Sequence, residues 1–122
     1  MPVRVLLVDD DAAFRQSAAE ALAERGYDVV AAVGTVAAAR AAVGRLQPDA
    51  LLLDVNLPDG NGVALATELS RDGRRPRVLL TSTDSSAVTR RLLERCGATG
   101  FVAKADLLAV DLRSYLDQRR DR

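Results

Sequence analysis

The residues in this chain best suited to chemistry are carboxylates that follow runs of apolar residues. Asp9, Asp10 and Asp11 come directly after "VLLV", and Asp54 follows "ALLL". Clustered carboxylates repel one another and are costly to remove from water, so a bound cation is the simplest reason to place them together. A set of oxygen ligands without Cys or His selects a hard ion, and Mg²⁺ suits a few carboxylates with water and a phosphate oxygen. The chain contains no histidine, which excludes His-based catalysis and His-ligated metals.

A metal site beside a further carboxylate suggests phosphoryl transfer, with Asp54 as the candidate nucleophile. Thr81, next to Ser82, ends another apolar run, and its hydroxyl can donate a hydrogen bond to a phosphoryl oxygen. Lys104 is the single lysine among 17 basic residues. Its compact ammonium fits a crowded phosphate site, where the planar fork of arginine has a different shape.

The elements that must position these residues alternate between strand-like and helix-like segments. The run "DALLLD" has no polar alternation, which indicates a strand covered on both faces. Five strand–helix units in strict order predict an α/β fold with a doubly wound, five-stranded parallel sheet and helices on both faces. The predicted strands are residues 3–8, 27–33, 49–54, 77–83 and 99–104, and the predicted helices are residues 11–26, 35–46, 63–73, 84–97 and 107–118.

Local signals predict how some of these elements begin and end. Asp11 is the expected N-cap of the first helix, and Asp84 or Ser85 that of the fourth. The loop "VNLPDGNG" carries Pro58, Gly60 and Gly62, which predict an absence of regular structure. The last helix is predicted to bury one face, made of Leu108, Leu112, Tyr115 and Leu116.

The polar residues at the strand ends are expected to meet at one edge of the sheet. Ligands of open parallel sheets bind beyond the carboxyl ends of the strands, where the strand order reverses. With the order 2-1-3-4-5, the first and third strands are neighbours, about 4.8 Å apart. Asp9 or Asp10 and Asp54 are therefore predicted to share one small space, with Thr81 and Lys104 at the same edge.

The motifs "VDDD", "LLLDVNLPDGNG", "VLLTS" and "GFVAK" occur in an order and at spacings that resemble the receiver domain of bacterial response regulators. The resemblance covers essentially the whole chain, residues 1–122, and implies a flavodoxin-like fold. It implies that Asp54 accepts a phosphoryl group from a sensor histidine kinase or phosphotransfer protein. It also implies Mg²⁺ as the cofactor, held by Asp9, Asp10, Asp54 and the main-chain carbonyl of Asn56.

The same resemblance implies a conformational switch. Thr81 would be the switch hydroxyl, Phe101 the switch aromatic and Lys104 the phosphate partner, while Pro58 and Gly62 would shape the loop after Asp54. Phosphorylation would then remodel the face formed by the fourth helix, fifth strand and fifth helix (α4-β5-α5). That face would bind an output partner protein or a second copy of the chain.

Two positions depart from the usual pattern of the family. Ala105 follows Lys104 where the family usually has proline, so a trans peptide bond is expected. The switch aromatic is Phe101, which has no hydroxyl, so burial in both states is expected rather than a wide swing. An aromatic residue in a strand also belongs to the core by default, which is the alternative interpretation of Phe101.

Three other functions could use a similar set of residues. An aspartate-nucleophile phosphohydrolase needs a second acid two residues after the nucleophile, and Asn56 stands there. A nucleotide-binding module needs a glycine-rich loop after the first strand, and "DDDAAF" has no glycine. A receiver-like interaction scaffold that is never phosphorylated remains the alternative. The expected role is thus a phosphoacceptor signalling domain rather than an enzyme, with self-catalysed phosphotransfer and dephosphorylation only.

Composition limits the partners and the compartment. The formal net charge of the 122-residue chain is zero, which gives no electrostatic attraction to nucleic acid or an acidic membrane. Its longest apolar runs are too short to cross a bilayer. A single cysteine, Cys96, excludes an intrachain disulfide and favours the reducing cytoplasm. We therefore expect protein partners, with no nucleic acid and no membrane bound by this chain.

Overall fold

A computed structural model describes residues 2–71, 76–84 and 88–117 of the chain. Five parallel strands form one sheet in the order β2-β1-β3-β4-β5. This arrangement confirms the predicted doubly wound sheet and its strand order. The strands are β1 (Arg4–Val8), β2 (Asp28–Val33), β3 (Ala50–Asp54), β4 (Arg77–Ser82) and β5 (Gly100–Ala103).

Helices connect these strands and cover both faces of the sheet. A 3₁₀ helix, Lys104–Ala109, follows β5 and precedes the last α-helix. No helix in the described residues is both long and apolar enough to cross a membrane. The α-helices are α1 (Ala12–Glu24), α2 (Val36–Leu46), α3 (Gly62–Ser70), α4 (Arg90–Cys96) and α5 (Arg113–Leu116).

The core lies in two layers, one on each face of the sheet. Along β3, Leu51 and Leu53 point into the layer beneath α2, α3 and α4, while Ala50 and Leu52 point into the layer beneath α1 and α5. Every residue of β3 is buried. This two-sided burial explains why the sequence of the strand has no polar alternation.

The first helix begins where the sequence predicts. The Asp11 carboxylate accepts hydrogen bonds from the N–H groups of Ala13 and Phe14, at 3.0 and 3.3 Å. These bonds satisfy two of the N–H groups that a helix start leaves without an intrahelical partner. The helix starts just beyond β1, so this cap also sets the direction in which the chain leaves the acidic residues.

The loop after β3 is more regular than predicted. Asn56–Leu57 pairs with Gly60–Asn61 in a short antiparallel hairpin, and Gly62 is the first residue of α3. Pro58 lies in the turn between the two paired segments, where it needs no ladder hydrogen bond. The expectation of an irregular loop was therefore wrong, because the turn at Pro58 and Asp59 allows a two-residue strand on either side of it.

The fourth helix is capped later than predicted. Thr89 is the N-cap of α4, and its Oγ1 accepts a hydrogen bond from the Leu92 N–H at 3.1 Å. Asp84 precedes the helix, so it is not the cap, and Ser85 lies outside the described residues. Asp84, Ser85 and Thr89 all carry side chains that can cap a helix, and the sequence alone does not show which of them begins α4.

The last predicted helix is interrupted. The chain becomes extended at Val110, and α5 begins as a separate helix at Arg113, whose N–H donates to the Asp111 carboxylate at 3.0 Å. Leu112 and Leu116 are buried as predicted, whereas Leu108 is 39% exposed and does not share their face. The spacing of four between Leu108 and Leu112 therefore predicted a single helical face incorrectly.

Candidate functional site

Three carboxylates converge at the carboxyl edge of the sheet. β1 and β3 pair in register up to Val8 and Leu53, so the next residues, Asp9 and Asp54, lie side by side at the edge of the sheet. Asp9, Asp10 and Asp54 each offer one oxygen, and these oxygens lie within 4.8 Å of one another. Asp9 is 1% exposed and Asp54 6% exposed, while Asp10 faces solvent. The structure brings together the acids that the sequence selected.

Asp9 is the most constrained of the three acids. Its Oδ1 accepts hydrogen bonds from the Asp11 N–H at 2.8 Å and from the Lys104 Nζ at 3.0 Å. Its Oδ2 also lies 2.9 Å from that Nζ, yet no hydrogen bond of acceptable geometry reaches this buried oxygen. A buried carboxylate oxygen whose one contact in the described residues is an ion pair with Lys104, in a group of three carboxylates, fits a divalent cation with a preference for oxygen ligands.

Asp54 stands at the end of the central strand and has one oxygen committed to the main chain. Its Oδ1 accepts the N–H of Asn56 at 3.1 Å. Burial raises the pKa of Asp54 above its ordinary value, and the charges of Asp9 and Asp10 act in the same direction. The Asn56 N–H and the Lys104 ammonium oppose this rise. The second oxygen, Oδ2, accepts no hydrogen bond within the described part of the chain.

The neighbouring strands supply the two other predicted side chains. Thr81 of β4 pairs in register with Asp54 and is 1% exposed. Lys104 is the first residue beyond β5, and its side chain is 15% exposed. Asn56, whose carbonyl is a candidate ligand, lies on the exposed side of the loop after Asp54. The positions fit the chemistry suggested for them, and the roles themselves stay predictions.

Two residues beside the site were not selected from the sequence. The Phe14 ring lies under the Lys104 ammonium, with Nζ 4.5 Å from the ring centroid, which is a cation–π distance. The Arg15 Nη1 donates a hydrogen bond to the main-chain carbonyl of Asp9 at 2.7 Å. Both belong to the first turn of α1, directly after the acids. That proximity in sequence was the only signal that could have indicated them.

The two departures from the family pattern also have a structural outcome. Phe101 is partly buried and packs against the core layer beneath α2, α3 and α4. Ala105 is exposed, and the peptide bonds of the described residues are all trans, as expected for Lys104–Ala105. The switching role of Phe101 stays a prediction.

Lys104→Met is expected to tighten Mg²⁺ binding. The ammonium contacts both oxygens of Asp9, so it competes with any cation that uses this carboxylate. A hydrogen bond to a charged group contributes about 1.5–3 kcal/mol, so its loss should lower the dissociation constant for Mg²⁺ about tenfold. Isothermal titration of Mg²⁺ measures this change. Lys104→Arg keeps the positive charge and should bind close to wild type; equal affinities for all three proteins would contradict the competition.

The sequence profile of the response regulator receiver domain matches residues 5–112 of the chain. The chain belongs to this family. It is therefore a signalling domain of two-component systems, as the motifs suggested, and its strand order is that of the family. Its group of acids at the carboxyl edge corresponds to the acidic pocket of a receiver domain.

Similar proteins support this assignment. The DNA-binding transcriptional activator DevR/DosR of Mycobacterium tuberculosis is 39% identical over 130 residues, which cover 96% of this receiver domain and 58% of the activator. The protein-glutamate methylesterase/protein-glutamine glutaminase 2 of Xanthomonas oryzae pv. oryzae is 36% identical over 120 residues. These residues cover 96% of this receiver domain and 34% of the methylesterase. The chain thus spans between a third and three-fifths of these curated relatives.

A solved structure of similar length has the same fold. The chemotaxis response regulator CheY4 of Vibrio cholerae superimposes with a TM-score of 0.78 at 25% sequence identity. The aligned region covers 93% of this receiver domain and 99% of that chain. Nearly the whole of CheY4 therefore corresponds to the fold described above.

Proposed function

We propose that this receiver domain accepts a phosphoryl group on Asp54 from a phosphohistidine of a sensor histidine kinase or phosphotransfer protein, in a reaction that depends on Mg²⁺. Asp9, Asp10, Asp54 and the main-chain carbonyl of Asn56 would hold the cation. The observation that carries the proposal is the convergence of three carboxylate oxygens within 4.8 Å beside the Lys104 ammonium.

The chain's own groups account for most of the proposed chemistry. A carboxylate oxygen of Asp54 attacks phosphorus, and the new P–O bond forms as the P–N bond to the donor imidazole breaks and its nitrogen keeps the electron pair. Bound Mg²⁺ would neutralise charge on the phosphoryl oxygens and favour the ionised form of Asp54. Lys104 moves its ammonium from Asp9 to a phosphoryl oxygen, and Thr81 donates its hydroxyl to another.

The test is phosphoryl uptake by the wild-type chain. Incubation with Mg²⁺ and a small phosphodonor such as phosphoramidate is expected to add the mass of one phosphoryl group. Hydroxylamine should remove it, because an acyl phosphate reacts with this nucleophile whereas a serine or threonine phosphate does not. EDTA should prevent the uptake. A chain that binds Mg²⁺ but never gains this mass would be the non-phosphorylated scaffold instead.

Thr81→Ala is expected to separate uptake from signalling. The hydroxyl lies beside Asp54 in the sheet and donates one hydrogen bond to a phosphoryl oxygen, but it forms no covalent bond in the proposed transfer. Phosphoryl uptake should therefore stay within about threefold of wild type, a change of less than 1.4 kcal/mol. The conformational change should be blunted, because the hydroxyl that follows the phosphoryl group is lost. NMR shifts of α5 on phosphorylation measure it. An undiminished shift at equal uptake would remove Thr81 from the switch role.

The proposed setting follows from the same features. We place the receiver domain at residues 1–122, in the cytoplasm, where a buried single cysteine stays reduced. Its phosphorylated form would act through the face of α4, β5 and α5, on an output partner protein or on a second copy of the chain. Loss of the phosphoryl group would be self-catalysed, so the domain is not an enzyme in the usual sense.

A further inference from the structure

The five-stranded sheet brings Asp9 and Asp54 side by side, but it does not position the carbonyl of Asn56, the proposed ligand beyond β3. Asp9 and Asp10 follow β1, whereas Asp54 ends β3 and Asn56 lies in the loop beyond it. Asp54 still pairs with Thr81 of β4, whereas Asn56 lies beyond the five-stranded sheet. Contacts outside this sheet must therefore fix the loop of Asn56 relative to Asp9 and Asp10.

The end of β2 and the residue after it lie against Asp9 and Asp10. The N–H of Asp9 donates to the carbonyl of Val33 at 3.0 Å, at the end of β2. A Cβ added to Gly34 would lie 3.7 Å from the Cα of Asp10 and from the carbonyl oxygen of Asp9. The end of β2 is thus hydrogen-bonded to Asp9, and Gly34 lies close to the backbone of both acids.

The start of α2 holds the loop that follows β3, through Asp59. The Oδ1 of Asp59 accepts the N–H of Val36 at 2.7 Å, and its Oδ2 accepts the N–H of Ala37 at 3.0 Å. The next residue, Gly60, packs on the Val36 side chain, since an added Cβ would lie 3.1 Å from its Cγ2. These two hydrogen bonds lower the pKa of Asp59, so the carboxylate is ionised at neutral pH.

We propose that Asp59 is a positioning residue for the cation site, and this inference rests on the proposed function. Asp59 lies in the turn of the hairpin whose first residue is Asn56. Its hydrogen bonds to the start of α2 therefore fix the position of that hairpin. Gly34, just before α2, in turn lies close to the backbone of Asp9 and Asp10. Asp59 therefore sets the position of the Asn56 carbonyl relative to Asp9 and Asp10, without touching the cation or the phosphoryl group.

The experiment compares Mg²⁺ affinity in variants of the full chain. Asp59→Ala is expected to weaken Mg²⁺ binding about tenfold, the lower end of what is lost when a partner that orients metal ligands is removed. Asp59→Asn keeps one acceptor oxygen and should fall between Asp59→Ala and wild type. Titrations are run at an ionic strength of about 1 M, where the Debye length is about 3 Å, so that loss of the Asp59 charge itself has little effect.

Thr35→Ala is the matched control. Thr35 is the N-cap of the same helix, and its Oγ1 accepts the N–H of Ala38 at 3.0 Å, but it does not reach the hairpin. Both variants lose a cap at the start of α2 and should lose thermal stability. Only Asp59→Ala should also weaken Mg²⁺ binding, and only there should the amide protons of Val36 and Ala37 exchange markedly faster.

The outcomes separate the two proposals. Equal weakening of Mg²⁺ binding by Thr35→Ala, or wild-type affinity in both Asp59 variants, overturns the positioning role and leaves the proposed function intact. If Asp59→Ala does not fold, the Asp59→Asn titration decides between these results. A wild-type chain that takes up no Mg²⁺ overturns the proposed function and this inference with it.

Discussion

Asp54→Asn should take up no phosphoryl group from a small phosphodonor, under conditions in which the wild-type chain is modified. The amide keeps the size of the side chain and an oxygen to accept the Asn56 N–H, which the Asp54 Oδ1 accepts at 3.1 Å. It removes the nucleophile, because an amide oxygen does not form a stable acyl phosphate. The expected effect is complete loss of the added mass, measured on the intact protein.

Asp49→Asn is the control for this substitution. Asp49 lies just before the other end of β3, where its Oδ2 accepts the N–H of Arg4 at 2.9 Å. The same change of charge there leaves the acidic edge intact, so uptake should match wild type. Uptake of one phosphoryl group by Asp54→Asn would show that another side chain is the acceptor.

Asp54→Asn should also change the stability of the fold, in a direction that the pKa of Asp54 defines. Burial raises the pKa of Asp54 in the folded state, so the stability that this group contributes is full in acid and is lost as the pH rises through the folded pKa. In EDTA at neutral pH, Asp54→Asn should therefore melt at a higher temperature than wild type. The difference should shrink as the pH falls towards the unfolded pKa, and thermal melts followed by circular dichroism measure it.

The sheet and the acidic edge could be predicted because their signals are local. A buried parallel strand such as β3 has a continuous apolar run, and Asp54 at its end is visible without any knowledge of packing. Once the strand order is inferred, the convergence of Asp9 with Asp54 follows from the strand spacing. Lys104 was found because it is the only lysine in the chain.

The supporting contacts could not be predicted in the same way. Asp59 occurs in "LPDGNG", where it matches an ordinary turn residue, and nothing in that sequence indicates the N-terminus of α2, 22 and 23 residues away. Phe14 fits the apolar face of α1, yet its ring also supports the Lys104 ammonium. Such contacts depend on how loops from different strands approach one another, which neither periodicity nor propensity specifies.

Gly62→Ala is expected to destabilise the fold strongly and to damage the site. An added Cβ would lie 2.2 Å from the main-chain oxygen of Asp54 and 3.0 Å from the Cα of Val55, and these are backbone atoms that cannot turn aside. The Gly62 N–H donates to the Val55 carbonyl at 2.7 Å, so the close approach is part of the structure. Overpacking of this kind lowers the free energy of unfolding by about 1–3 kcal/mol. Because the clash here is with backbone atoms, Gly62→Ala should lose about 3 kcal/mol. Urea unfolding followed by circular dichroism measures the loss.

Gly44→Ala makes the same chemical change with the opposite expected sign. Gly44 lies inside α2, and an added Cβ there meets nothing within 4 Å. Alanine in a helix interior is favoured over glycine by about 0.5–1 kcal/mol, so this variant should be more stable than wild type and should bind Mg²⁺ equally well. Gly62→Ala should also weaken Mg²⁺ binding, because the displaced carbonyl belongs to Asp54 itself. If both variants changed stability in the same direction, the contact of Gly62 with the end of β3 would not be what requires glycine at this position.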